Sequence, residues 1–171
     1  SIRFPDSLTH ISNNAFCECH GLTLIKFPNS LTHLGKGAFD ECRGLTSITF
    51  PDSLTHIGEN AFYDCHKLTS IRFPEGLTHI GENAFYGCSG LTSITFPDSL
   101  THIGDRAFMD CTNLKRIIMP YKMYNNEEVK KEFSFLEKNS IMTMNKWQRV
   151  PEEMIPMSII QQLSLVREVG E

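Results

Sequence analysis

Leu45-Thr46-Ser47-Ile48-Thr49-Phe50-Pro51-Asp52-Ser53-Leu54-Thr55-His56-Ile57-Gly58-Glu59-Asn60-Ala61-Phe62-Tyr63-Asp64-Cys65-His66-Lys67 decides the fold of this chain. Ile48 and Phe50 alternate with polar Ser47 and Thr49, the period of a half-buried strand. Pro51 cannot donate to the next ladder hydrogen bond and ends that strand. Leu54-Thr55-His56-Ile57 forms a second short extended piece, and Gly58 is expected to permit the turn after it. Ala61, Phe62 and Cys65 then face inward from a tight turn or 3-10-like segment. The stretch reads as one coil of a right-handed solenoid.

The same coil recurs at a step of 23 residues without insertion. Phe-Pro stands at Phe4-Pro5, Phe27-Pro28, Phe50-Pro51, Phe73-Pro74 and Phe96-Pro97, and Met119-Pro120 continues the series. Rows at the same step are Leu8, Leu31, Leu54, Leu77, Leu100; Ala-Phe at 15–16, 38–39, 61–62, 84–85 and 107–108; and Cys19, Cys42, Cys65, Cys88, Cys111. One coil buries too few apolar side chains to offset the entropy of ordering its backbone. Stacking shares each face with a neighbour, so the fold is expected only as an array. The array occupies residues 1–120.

The strand Leu-x-x-Ile-x-Phe-Pro, followed by Leu-x-x-Ile-Gly-x-x-Ala-Phe-x-x-Cys, resembles the BspA-type (Treponema-type) leucine-rich repeat of bacterial and protist proteins. The likeness covers five full units and implies a leucine-rich-repeat solenoid: a curved, non-enzymatic binding scaffold. Many such proteins are surface adhesins, while others are intracellular, including proteins of host-invading bacteria such as Legionella. Ser12 departs from the pattern, standing where the other units have Gly35, Gly58, Gly81 and Gly104.

After Pro120 the register stops, and residues 121–171 are expected to form a C-terminal α-helical cap over the last coil. Asn125-Asn126-Glu127-Glu128 reads as a helix start, with Val129, Phe133 and Leu136 as its inner stripe. Trp147 lies in a short apolar-spaced piece before Pro151. Pro156 opens a last helix in which Ile159, Ile160, Leu163 and Val166 share a face. No matching cap precedes the first coil, and Ser1 reads as a boundary inside the pattern.

Composition excludes several classes. The 171 residues carry 16 Lys+Arg against 20 Asp+Glu, a net charge of −4, with no basic block that would neutralise phosphates. No apolar run reaches the roughly 18 residues of a membrane span. Five of the six cysteines occupy one repeated position and read as reduced core thiols, which points to a reducing compartment: cytoplasm, or the interior of a host cell. Cys17 is expected to be exposed; Cys17-Glu18-Cys19-His20 is half a metal motif with no second half. The row His10, His33, His56, His79, His102 reads as a polar ladder rather than catalytic machinery, because catalysis needs one asymmetrically tuned group. Its imidazoles should repel one another when protonated. No enzyme motif, cofactor, metal or small-molecule substrate is expected.

Where units differ, the scaffold is free to specify a partner, expected to be another folded protein. On the strand, the outward row runs Arg3, Lys26, Thr49, Arg72, Thr95, Ile118, while Leu24 and Arg116 interrupt the row of Ser47, Ser70 and Ser93. This surface is mildly basic and suits an acidic or protruding element. A second candidate is the turn row Asp40, Tyr63, Tyr86, Met109, read as a compact exposed apolar patch beside Arg43 and His66. The functional expectation is an intracellular module, plausible as a bacterial effector that masks and inhibits one target; the alternative is a fragment of a BspA-type cell-surface adhesin.

Overall fold

The structure, a computed structural model, describes residues 2–124, 126–133 and 141–144. Each coil contributes two short strands to two separate rows. The first row contains β1 (Ile2–Arg3), β3 (Ile25–Lys26), β5 (Ser47–Thr49), β7 (Ser70–Arg72), β9 (Ser93–Thr95) and β11 (Arg116–Met119). The second contains β2 (His10–Ile11), β4 (His33–Leu34), β6 (His56–Ile57), β8 (His79–Ile80) and β10 (His102–Ile103). All pairing is parallel and in step with the repeat, as Thr49 opposite Arg72 and His56 opposite His79 show.

Backbone groups left over by the strands are satisfied from coil to coil. On the turn side the amide of each coil donates to the next, Phe39 N to Ala61 O at 2.8 Å and Phe62 N to Ala84 O at 2.8 Å. On the histidine side the direction reverses, Thr55 N donating to Thr32 O at 3.0 Å. The interior is a pile of equivalent side chains. Phe39, Phe62, Phe85 and Phe108 stack at 5.2–5.3 Å between successive rings, and Phe50 meets Phe62 edge-on. Leu54, Leu77, Ala61, Ala84, Cys65 and Cys88 are fully enclosed among them.

Two local features correct the reading of the turns. Gly58 does not have positive φ; a Cβ there would lie 2.6 Å from the Gly35 carbonyl carbon and 2.7 Å from Leu34 O. The glycine row exists because adjacent coils touch there. Ser12 is tolerated because no described residue stacks on the outer side of the first coil at that position. Left-handed backbone falls elsewhere, at Asn60 (φ 56°) and Asp64 (φ 52°), with Gly37, Asn83 and Arg106 in the first of these rows and Glu41, Gly87 and Asp110 in the second. Asn, Asp and Gly tolerate that region best.

Beyond Pro120 the chain makes two short helices, α1 (Tyr121–Tyr124) and α2 (Glu127–Glu132), then β12 (Ile141–Met144). Val129 N approaches Asn126 Oδ1 at 3.5 Å, where the sequence places a capping residue, and Val129 and Phe133 are buried. The expected C-terminal α-helical cap of 121–171 has two short helices but also β12, which pairs with β11 in parallel, Arg116 opposite Ile141 through Met119 opposite Met144. The sheet gains a further strand after a connection longer than the repeat. Leu136, Trp147, Pro156 and the expected last helix lie outside the described residues.

Candidate interaction surface

The strand row turns Ile25, Ile48, Ile94 and Ile117 inward and exposes most of the alternate positions, Ser47 and Ile118 being half-buried. Arg3 lies opposite Lys26, Thr49 opposite Arg72, Ser93 opposite Arg116 and Thr95 opposite Ile118, so the variable residues share one side of the solenoid, although the row is split into the paired groups β1-β3, β5-β7 and β9-β11-β12. Leu24 bridges to Ser47 and is 52% exposed, the most exposed large apolar side chain among the described residues. Arg3, Lys26, Arg72 and Arg116 are exposed, and none takes part in the ion pairs found among the described residues. Lys115 joins them at the entrance of β11; its signal in the sequence is that it interrupts the row Thr23, Thr46, Thr69, Thr92.

The turn patch is built differently from its sequence reading. Tyr63 and Tyr86 are half-buried and stacked on each other, ring centroids 4.9 Å apart and 5° from parallel. The Tyr86 hydroxyl donates to Asp110 Oδ2 at 2.5 Å, and that bond to an acceptor carboxylate raises its pKa. Only Met109, 40% exposed, remains open. Around it Arg43 pairs with Glu41 at 2.8 Å and Asp64 at 3.4 Å, so the charges are largely matched within the chain. Asp40, at the start of the same row, keeps Oδ1 buried without a hydrogen-bond partner among the described residues.

The histidine row forms a ladder. His10, His33, His56 and His79 stack at 4.6–4.7 Å, and His102 breaks away at 5.8 Å with a 40° tilt. Each of the first four rings places Nδ1 2.8–2.9 Å from the hydroxyl of the preceding threonine. Thr32, Thr55 and Thr78 donate those hydroxyls to the threonine carbonyl one coil earlier, so the hydroxyl oxygen accepts from Nδ1–H and leaves Nε2 as the acceptor nitrogen. Burial, and then the neighbouring His79 and His33 charges, lower the pKa of His56. A repeated, mutually braced array gives no single ring the distinct environment a general base needs.

The thiols are equally repetitive. Cys42, Cys65, Cys88 and Cys111 are fully buried, and each donates to a phenylalanine carbonyl of the preceding coil at 3.2–3.3 Å. Burial pushes Cys42 and Cys111 up to about 12 and raises Cys65 and Cys88 as well. Such thiols are poor nucleophiles and poor metal ligands. Cys17, expected to be exposed, is half-buried, and Cys19 lacks the full enclosure of the later members of its row. Among the described residues no group of three or more His, Cys, Asp or Glu is placed to hold a metal ion, and no helix is long and apolar enough to cross a membrane.

Known proteins match this arrangement closely. The BspA type Leucine rich repeat region, in six copies, matches residues 1–115 and 37–154. A leucine-rich-repeat protein of T. pallidum is 26% identical with a TM-score of 0.69, over 96% of this chain and 78% of that one. A leucine rich cell surface protein of Faecalibacterium prausnitzii is 29% identical with a TM-score of 0.60, over 86% of this chain but only 35% of its own. The pneumococcal vaccine antigen PcpA, 20% identical, TM-score 0.52, over 85% of this chain and 44% of its own, shares the fold. No curated protein sequence matches the chain.

Proposed function

From the premise that this chain belongs to the BspA-type leucine-rich-repeat family, whose solenoids are typically non-enzymatic and protein-binding, we propose that it is a scaffold that engages another folded protein across its first strand row. One observation carries this reading: the interior rows are nearly invariant from coil to coil, while Arg3, Leu24, Lys26, Arg72 and Arg116, which break the pattern of their rows, are all exposed on the side of the first strand row. Much of the backbone of that face is committed to pairing within β1-β3, β5-β7 and β9-β11-β12, so recognition falls mainly to side chains over several coils. The turn patch is the second surface; its stacked tyrosines and internal ion pairs leave it less to offer.

The setting that fits best is the cell surface, as in the alternative of the sequence reading, a fragment of a BspA-type cell-surface adhesin, because the Faecalibacterium relative is a leucine rich cell surface protein. An intracellular regulator that masks a target is the second reading. The core thiols do not separate the two, since burial and raised pKa protect them from oxidation in either compartment. The segment after Pro120 is proposed to cover the last coil. Glu132 accepts from Arg106 N at 2.8 Å and Phe108 N at 2.9 Å, the groups that in earlier coils donate to the next coil. Phe133 continues the aromatic pile beyond Phe96 and Phe108.

The test is affinity capture from surface and soluble protein fractions with the full chain. A specific protein should be retained, lost with Leu24→Asp/Ile118→Asp and kept with Tyr63→Ala/Tyr86→Ala. Loss only with the tyrosine variant moves the site to the turn row. Absence of any specific protein from every fraction refutes the binding reading.

A further inference from the structure

The strand face carries a charge pattern at odds with the chain's own. The protein is acidic overall, at −4, yet from Arg3 to Ile118 no outward position of this face holds a carboxylate. It holds Arg3, Lys26, Arg72, Lys115 and Arg116, all exposed and outside the ion pairs of the described residues. These cations are spaced. They sit on the first, second, fourth and sixth coils, and the third and fifth present only Thr46, Ser47, Thr49 and Thr92, Ser93, Thr95.

The second strand row is a continuous parallel ladder, which sets a coil repeat of about 4.7–4.9 Å, so Lys26, Arg72 and Arg116 recur at about 9.5 Å along the solenoid axis, with Arg116 standing two residues out of the register of Arg72. Past the end of four of the six strands runs the opposite charge. Asp6, Asp52, Glu75 and Asp98 follow Pro5, Pro51, Pro74 and Pro97, with Asn29 after Pro28, and Asp52 and Glu75 border the shallow groove of about 240 Å³ in which Arg72 lies. None of them forms an ion pair with Arg72, and they bound the positive strip on one side.

We infer that this face binds an extended acidic segment of a partner protein lying along the solenoid axis, with carboxylates about 9–10 Å apart. The inference rests on the strand-face reading above and specifies the chemistry of the occupant. A polyproline II segment rises about 3.1 Å per residue and returns to the same face every third residue, so acidic side chains at that interval meet cations two coils apart. The small Thr and Ser side chains of the third and fifth coils leave room for the residues between. Leu24 and Ile118 supply apolar contact near the two ends of the strip, which proline rings use and a sulfated sugar does not. The acidic row limits the strip to the width of one chain; a nucleic-acid duplex would bring phosphates over Asp52, Glu75 and Asp98.

The experiment is fluorescence anisotropy with the full chain and fluorescein-labelled (Glu-Pro-Pro)5, beside (Gln-Pro-Pro)5, a heparin oligosaccharide and a DNA duplex. The Glu peptide should bind and weaken as salt screens the contact. Arg72→Glu/Arg116→Glu should weaken it at least about tenfold, because attraction becomes repulsion at two positions. Lys36→Glu/Lys67→Glu, an equal change of charge away from the strip, should leave it within about twofold. The proposal is overturned if the Gln peptide binds as well, if both variants weaken binding equally, or if heparin or DNA binds more tightly than the Glu peptide. Capture of a specific protein that Leu24→Asp/Ile118→Asp abolishes, and Arg72→Glu/Arg116→Glu does not, would sink the acidic segment alone and leave the binding scaffold standing.

Discussion

The glycine row Gly35, Gly58, Gly81, Gly104 is chosen by its neighbour one coil away rather than by its own turn. Gly58 packs so close to Gly35 that a methyl group would sit 2.6 Å from a backbone carbon, which no rotamer relieves. Gly58→Ala should cost about 1–3 kcal/mol, because the backbone of two coils must part. Gly21, with nothing within 4 Å of a Cβ, is the control and should tolerate alanine within about 0.5 kcal/mol. Urea denaturation of both variants checks the difference. The row of glycines was plain in the sequence; its cause was not, since a contact between coils leaves no mark that distinguishes it from a turn. Tyr63 and Tyr86 show the same limit, because a variable turn position reads alike whether its rings lie open or stack.

At the scale of the element, the histidine ladder couples stability to pH. His56 has its pKa lowered by burial and by His79 and His33, so the unfolded chain takes up protons before the folded one. Its contribution is complete above about pH 6.5, the unfolded value, and is lost as pH falls through the depressed folded value. Glu132 and Asp40 have raised values from burial and act with the opposite sign, their native forms favouring protonation. A net fall on acidification therefore reports the ladder. Tm should drop between pH 7.5 and 5.5, and His56→Gln should flatten that slope; a parallel slope in the variant would refute the assignment. The ladder was legible as five histidines in one row. The threonine hydroxyls that fix the Nδ1–H tautomer required the structure, because they involve carbonyls one coil away.

Over the whole molecule, each coil is held by the coils on either side, so position along the stack sets the weight of equivalent residues. Phe62 is fully buried between Phe39 and Phe85, whereas Phe16 at the start of the same pile is half-buried. Phe62→Ala should cost about 3–5 kcal/mol and Phe16→Ala distinctly less, as measured by chemical denaturation. Equal losses would mean that the first coil is as enclosed as the third. The coil, its period, its inward rows and its parallel stacking were all determined by the sequence alone. Each is a local choice repeated every 23 residues, and a nearest-neighbour architecture asks for little else. The tertiary structure decided what repetition does not encode. Glu132 takes the place of a missing coil, β12 extends the sheet after an irregular connection, and five cations from distant turns share one strip free of carboxylates. Those features depend on side chains far apart in sequence meeting once, and a single meeting leaves no period to read.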